Sequence, residues 1–233
     1  MVTNAEIKQV RSLREKKFRD EYGMFVVEGE KLVNEALMSS FEVVKVYRRE
    51  EVGEQAMEKM SQLTTPPPVL AIVAKPEPRG LQIGRGLCLA LDTVRDPGNM
   101  GTIIRLADWF GIDTVFASLD SVEIWNSKVI QASMGSIFRV KVVSSDIVNV
   151  CRAFRDKGMP VYGTFLDGSD IYASDLKKEG LIIMGNESEG ISDQVAAEVT
   201  SRLLIPSFAK GRTAESLNVA TAAAITLSEF RRR

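Results

Sequence analysis

The sequence predicts an α/β protein, with a C-terminal mostly parallel sheet covered by helices on both faces and a small α/β unit ahead of it. Three observations carry that prediction. Six short apolar runs beyond residue 86 alternate with segments of helical spacing, the pattern of a parallel sheet with crossover helices. Prolines, glycines and charges gather between residues 64 and 86, in TTPPPV and KPEPRGLQIGRG, and separate two patterned halves. At 233 residues, with 45% hydrophobic and 26% charged content, the chain has material for a core and is not of disordered composition.

Before the break, apolar spacing predicts a helix over 4–21, a strand over 24–28 and a helix over 29–39. A strand over 42–47, a helix over 51–60 and a strand over 69–73 complete a small layered unit. Its limits are set at residues 1–75, with a linker over 76–86 and the second unit over 87–233. In the second unit the strands fall at 87–91, 114–117, 139–143, 161–164, 181–184 and 202–205. No internal repeat or low-complexity segment interrupts them.

Composition narrows the chemistry. The chain has no histidine, which removes Ser-His and Cys-His nucleophile pairs and His-based zinc sites. Its two cysteines, Cys88 and Cys151, make neither a disulfide framework nor metal spacing, so no metal is expected. No run approaches a membrane span and the N-terminus has no apolar signal core, so the expected location is the cytoplasm. Net charge is −1, but residues 1–20 carry Lys8, Arg11, Arg14, Lys16, Lys17 and Arg19 against three acids, and the chain ends in three arginines. Such clusters suit a phosphate backbone or a solvated face.

Three loops carry chemistry. The first joins the strand at 87–91 to an amphipathic helix: Asp96-Pro97-Gly98-Asn99 is turn chemistry, the helix starts near Asn99, and Ile103, Leu106, Ala107 and Phe110 face the core. Arg105 is left off that face, near a strand's carboxyl end where open α/β sheets bind ligands, or paired with Asp108 at the surface. The second runs from Gly185 to Ser192. Its spacing approaches a phosphate loop, but Ile191 stands at the lysine position and Glu187 and Glu189 repel phosphate, which disfavours a nucleotide triphosphate. A neutral or cationic ligand fits better, as does a plain turn with Ser192 capping the next helix. The third runs from Pro206 to the alanine-rich last helix, with Ser216 as a good N-cap and Asn218 as a helix-interior residue in need of a partner.

Taken in order, DPGNMGTIIRLAD, IIMGNESEGIS and IP followed by ESLNVATAAAI resemble the three motifs of the SpoU/TrmH family of RNA ribose 2′-O-methyltransferases, of the SPOUT class. RSLREKKFRDEYGMFVVEGEKLVNEAL is similar to the small RNA-substrate-binding domain of ribosomal RNA members. The resemblance implies a deep trefoil knot at the carboxyl end of the sheet, a homodimer, and S-adenosylmethionine held in the knot. It places the reactive residue at Arg105, assisted by Asn99, Glu187, Ser216 and Asn218. Cofactor contacts fall at Thr164, Gly185, Asn186, Ile205 and Leu217, and RNA contacts at Arg11, Arg14, Lys16, Lys17, Lys210 and Arg212. Two departures stand out: Ser207–Glu215 lengthen the connection in the third motif, and Leu106 replaces a small polar residue after the motif arginine.

A ribose 2′-OH is a poor nucleophile near neutral pH, so a base or a positive field is needed where its oxygen becomes an alkoxide. Arginine stays protonated, so stabilising that alkoxide or a neighbouring phosphate is its easier role. Ribosomal RNA is favoured over transfer RNA by the N-terminal unit, and RNA over DNA by the 2′-OH. The alternatives are a transfer RNA methyltransferase and an inactive RNA-binding protein of the same fold. A dinucleotide-dependent oxidoreductase is disfavoured because no Gly-x-Gly-x-x-Gly follows a predicted strand.

Overall fold

A computed structural model describes residues 2–77, 80–84, 86–112, 114–211 and 214–232. Helix α1 (Asn4–Ser12) opens with a capping box: the Thr3 hydroxyl accepts from the Glu6 amide at 3.2 Å, and the Glu6 carboxylate accepts from the Thr3 amide at 2.8 Å. The single helix expected over 4–21 is broken, and α2 (Lys16–Tyr22) starts afresh. Arg19 stabilises the break by donating to the carbonyls of Leu13 at 2.8 Å and Arg14 at 2.7 Å, which no longer have helical partners.

Strand β1 (Met24–Glu28), α3 (Glu30–Leu37) and β2 (Val43–Arg48) follow close to expectation. The helix expected over 51–60 divides into α4 (Arg49–Val52) and α5 (Glu54–Met60), because Gly53 takes φ +85°, outside the helical region. Strand β3 (Val69–Ala74) lies between the other two and pairs antiparallel with both.

The second sheet comprises β4 (Leu87–Leu91), β5 (Thr114–Ala117), β6 (Lys141–Ser144), β7 (Val161–Asp170), β8 (Gly180–Met184) and β9 (Ser201–Leu204). All neighbours are parallel in the order β6-β5-β4-β8-β7-β9. Alternate residues of β4 divide between its faces. Leu87, Leu89 and Leu91 join the core under α6 (Pro97–Trp109), α7 (Ser127–Ser133) and α10 (Val219–Arg232). Cys88 and Ala90 join the core under α8 (Ile147–Asp156) and α9 (Asp193–Ala196). Helices therefore cover both faces, as the apolar runs predict.

Three boundaries differ from expectation. The strand expected from residue 139 begins at Lys141, because Ser136–Phe138 form a 3₁₀ turn and Arg139 keeps helical angles. Strand β7 outruns its predicted end, and its register against β9 jumps from Thr164↔Leu203 to Ser169↔Leu203, so residues 165–168 bulge out. Helix α6 starts at Pro97, with Asp96 accepting from the Asn99 amide at 2.7 Å. The Pro-Gly pair is thus the first helical turn, where proline's missing N–H costs nothing.

The two sheets share one apolar cluster. Phe25 of β1 stacks on Trp125 with ring centroids 4.7 Å apart, and Phe41 meets Phe138 edge-on at 5.3 Å. Gln131 of α7 donates to the Glu28 carbonyl at 3.0 Å. Among the described residues no helix is long and apolar enough to cross a membrane.

Candidate active site

Because the strands are parallel, the loops after β4, β7, β8 and β9 leave the sheet on one side, the side where α/β sheets bind ligands. The loop after β8 doubles back on itself. The Asn186 amide donates to the Gly190 carbonyl at 2.8 Å, and the Gly190 amide returns to the Asn186 carbonyl at 3.0 Å. Gly185 permits this turn, since a Cβ there would come within 2.3 Å of the Gly190 carbonyl carbon.

The tip of β4 holds that loop at both ends. Asn186 Nδ2 donates to the Thr93 carbonyl at 2.8 Å, and Asp92 accepts from the Ser192 amide at 2.8 Å and hydroxyl at 2.7 Å. Ser192 precedes α9 as expected but does not cap it with its side chain, because its hydroxyl is committed to Asp92. Asp92, 4% exposed, did not enter the sequence-based set. A charged residue ending the wholly apolar LCLAL was the signal for it. Thr93 adopts φ +59°, a rare conformation for a β-branched residue, and its amide donates to the Ser118 hydroxyl at 2.8 Å.

Three of the five expected catalytic residues meet. Asn99 Nδ2 donates to Glu187 Oε1 at 2.6 Å, and Asn99 Oδ1 accepts from Asn218 Nδ2 at 3.0 Å. Asn218 is not interior to the last helix. It caps α10, its Oδ1 accepting from the amides of Ala220 at 3.0 Å and Thr221 at 3.2 Å. That corrects the assignment of the cap to Ser216, which lies exposed two residues earlier. Arg105 is not hydrogen-bonded into this cluster. It stands six residues beyond Asn99, about 9 Å along the helix axis, exposed and without a hydrogen bond or ion pair among the described residues.

The surface pairing of Arg105 with Asp108 is absent. Asp108 instead accepts from Ser136 Oγ at 2.8 Å and Arg139 Nε at 2.9 Å. Partial burial pushes its carboxyl up, but the bonds from Arg139 and Ser136 outweigh that and leave it below its ordinary value. Arg105 remains uncommitted for a ligand.

The expected cofactor residues lie at the ends of three adjacent strands. Thr164 Oγ1 donates to the Ile183 carbonyl at 3.3 Å, Gly185 follows β8, half-buried Ile205 follows β9, and Leu217 is exposed beside the cap Asn218. Leu166, on the neighbouring bulge, is 74% exposed. Main-chain polar groups beside apolar side chains suit an adenosine-like ligand, whose base needs a flat apolar bed and polar edges. Asn186 differs from the other four. Its Oδ1 accepts from the amides of Ser188 at 2.8 Å and Glu189 at 3.1 Å, so its side chain shapes the loop from within.

Of the expected RNA-contact residues, Arg11, Arg14, Lys16, Lys17 and Lys210 are exposed. Arg14 donates to the Ser61 carbonyl, Lys16 pairs with Asp20 at 3.2 Å, and Arg212 lies outside the described residues. Arg19, counted in the basic cluster, is 4% exposed and structural. Both thiols are buried, and burial pushes that of Cys151 up to about 12. Among the described residues no group of three or more potential metal ligands gathers.

Residues 86–228 match the model of the SpoU rRNA Methylase family, and residues 4–52 match the MRM3-like substrate binding domain. The 23S rRNA (guanosine(2553)-2'-O)-methyltransferase RlmP of Bacillus subtilis is 32% identical over 244 residues, spanning 98% of this chain and 96% of its own. A TrmH-family structure from Porphyromonas gingivalis superposes with a TM-score of 0.89 at 40% identity, covering 100% of this chain and 99% of that one. The AdoMet-bound rRNA methyltransferase from Sinorhizobium meliloti gives 0.86 at 31% identity, covering 100% and 96%.

Proposed function

The chain belongs to the SpoU rRNA methylase family, and from that premise we propose that it is an S-adenosylmethionine-dependent methyltransferase acting on a ribose 2′-OH of ribosomal RNA. Its α/β fold is the knotted SPOUT fold. One observation carries the reading: the chain of bonds from Asn218 through Asn99 to Glu187 gathers the loops after β4, β8 and β9 around an uncommitted Arg105 helix.

S-adenosylmethionine, when bound, supplies an electrophilic methyl carbon on a sulfonium. The main chain around Thr164, Gly185, Ile205 and Leu217 would hold it, with Asn186 fixing the turn that presents Gly185. Arg105 stabilises negative charge on the ribose 2′-oxygen as its proton leaves, or clamps the adjacent phosphate. Glu187 and Asn218 hold Asn99, and Ser216 borders the same loop. Glu187, beside Asn99, also offers a carboxylate able to take up the leaving proton or orient a guanidinium.

Residues 1–75 serve as the RNA-substrate-binding unit and 87–233 as the methyltransferase, joined by 76–86. The separate matches of residues 4–52 and 86–228 support that division. RNA is engaged by Arg11, Arg14, Lys16, Lys17, Lys210 and Arg212. The enzyme acts as a homodimer in the cytoplasm. Trp109 of α6, 84% exposed, supports a covered surface there.

The test is methylation of ribosomal RNA by the parent and Arg105→Ala, with cofactor affinity measured by calorimetry. The variant is expected to lose turnover by about a hundredfold or more while binding S-adenosylmethionine as the parent does. Equal turnover would remove Arg105 from the mechanism. Ribose-methylation mapping on RNA from cells with and without the gene identifies the nucleotide.

A further inference from the structure

We infer that Glu123, on the loop after β5, is a positioning residue that sets the basic N-terminal turn in register with the catalytic loops; this rests on the RNA-methyltransferase reading above. Glu123 lies on the methyltransferase unit but faces the other one. Its carboxylate accepts from Arg19 Nε at 2.9 Å, and the pair is nearly enclosed, with Arg19 4% and Glu123 13% exposed. Lys75 bridges Glu123 at 3.3 Å and Asp20 at 2.7 Å, which ties the end of the first unit, next to the linker, into the same cluster.

Arg19 in turn holds the carbonyls of Leu13 and Arg14, the break between α1 and α2. That break displays Arg11, Lys16 and Lys17, so the position of the basic turn is set through one buried guanidinium.

From Glu123 the hydrogen bonds continue towards the active site. The preceding residue, Val122, donates its amide to the Val94 carbonyl at 2.9 Å, and Ser121 Oγ accepts from the Val94 amide at 3.1 Å. Ser118 and Ser121 lie 2.9 Å apart, and Ser118 Oγ accepts from the strained Thr93 amide at 2.8 Å. The Thr93 carbonyl receives Asn186, next to Glu187 and its bond to Asn99. Residues 118–123 thus touch the basic turn on one side and, through Val94 and Thr93, reach the loop carrying Glu187 on the other. The active site by itself does not require this ion cluster, whereas a long RNA that must reach both surfaces does.

The discriminating experiment compares the full-length parent, Glu123→Gln and Glu123→Asp on ribosomal RNA and on a short hairpin carrying the target nucleotide. Glu123→Gln is expected to raise KM for ribosomal RNA on the order of ten- to a hundredfold, with kcat at saturating RNA and cofactor affinity unchanged. The hairpin, too short to reach both surfaces, should show no such change. Because Glu123→Gln leaves Arg19 buried without its charge partner, Glu123→Asp separates fold from register: it keeps the charge, and with it the melting temperature, while its shorter side chain draws the turn out of place and keeps KM raised. Unchanged KM in either folded variant overturns the inference. So does a KM that recovers with the melting temperature, which would leave the cluster a structural role only. A parent that methylates no RNA would instead defeat the proposed function.

Discussion

Asn99 receives at one oxygen and donates from one nitrogen, and only an amide of its size does both. Its Nδ2 meets Glu187 and its Oδ1 meets Asn218, so it decides how two loops sit on α6. Asn99→Asp would place an acceptor 2.6 Å from Glu187 Oε1, where two like charges cannot both persist and one carboxyl is pushed upward. While that carboxyl is protonated it can donate as the amide does. As pH rises through its raised value, the bond is lost and repulsion takes over. Methyl transfer by Asn99→Asp should therefore approach the parent rate at acid pH and fall away with alkali, as read from a rate profile over pH 5 to 9 (roughly the range a raised carboxyl titrates in). A deficit constant with pH would mean that the amide acts otherwise. At this scale the sequence announces Asn99 and Asn218 by type, but not that Asn218 is a cap. Nor does it show that Asp108 belongs to Arg139, thirty-one residues away, because a pair so distant leaves no local spacing.

Element ends decide how the site is presented. Helix α6 begins where Asp96 accepts from the Asn99 amide, so this cap fixes the backbone of a proposed catalytic residue. Asp96→Ala is expected to cost about 1 kcal/mol and lower the melting temperature by about 2–4 °C. A fall in kcat should accompany it, since the freed first turn no longer holds Asn99 towards Glu187. Thermal melts alongside initial rates check both, and a melting loss with full kcat would confine the cap to stability. Strand positions are readable because apolar runs must be buried on both faces of a parallel sheet. The helix breaks are less so. Gly53 is visible as a breaker, whereas the break at Leu13-Arg14-Glu15 lies in residues of good helical propensity and exists because buried Arg19 takes up the freed carbonyls. The β7 bulge has a local mark in Asp167-Gly168, but that the strand resumes beyond it is set by pairing to the distant β9.

Across the whole molecule, composition separates two units while packing joins them. The proline-rich stretch reads as a linker, yet Phe25, Phe41, Trp125 and Phe138 form one aromatic cluster between the sheets. Arg139 adds a charged tie, pairing with Glu35 of the first unit and Asp108 of the second. The knot is equally silent in local pattern, because threading alters no period, and it is legible only through resemblance to a family. If the shared core governs stability, the two sheets unfold as one cooperative body. Calorimetry of the parent should then show one transition whose calorimetric and van't Hoff enthalpies agree. Phe25→Ala, which empties the centre of the cluster, should lower stability by about 3–5 kcal/mol and keep the transition single. Should the variant instead melt in two steps, with the residue 4–74 sheet lost first, the units are joined by contact alone. The register that Glu123 sets would then be the main constraint between them.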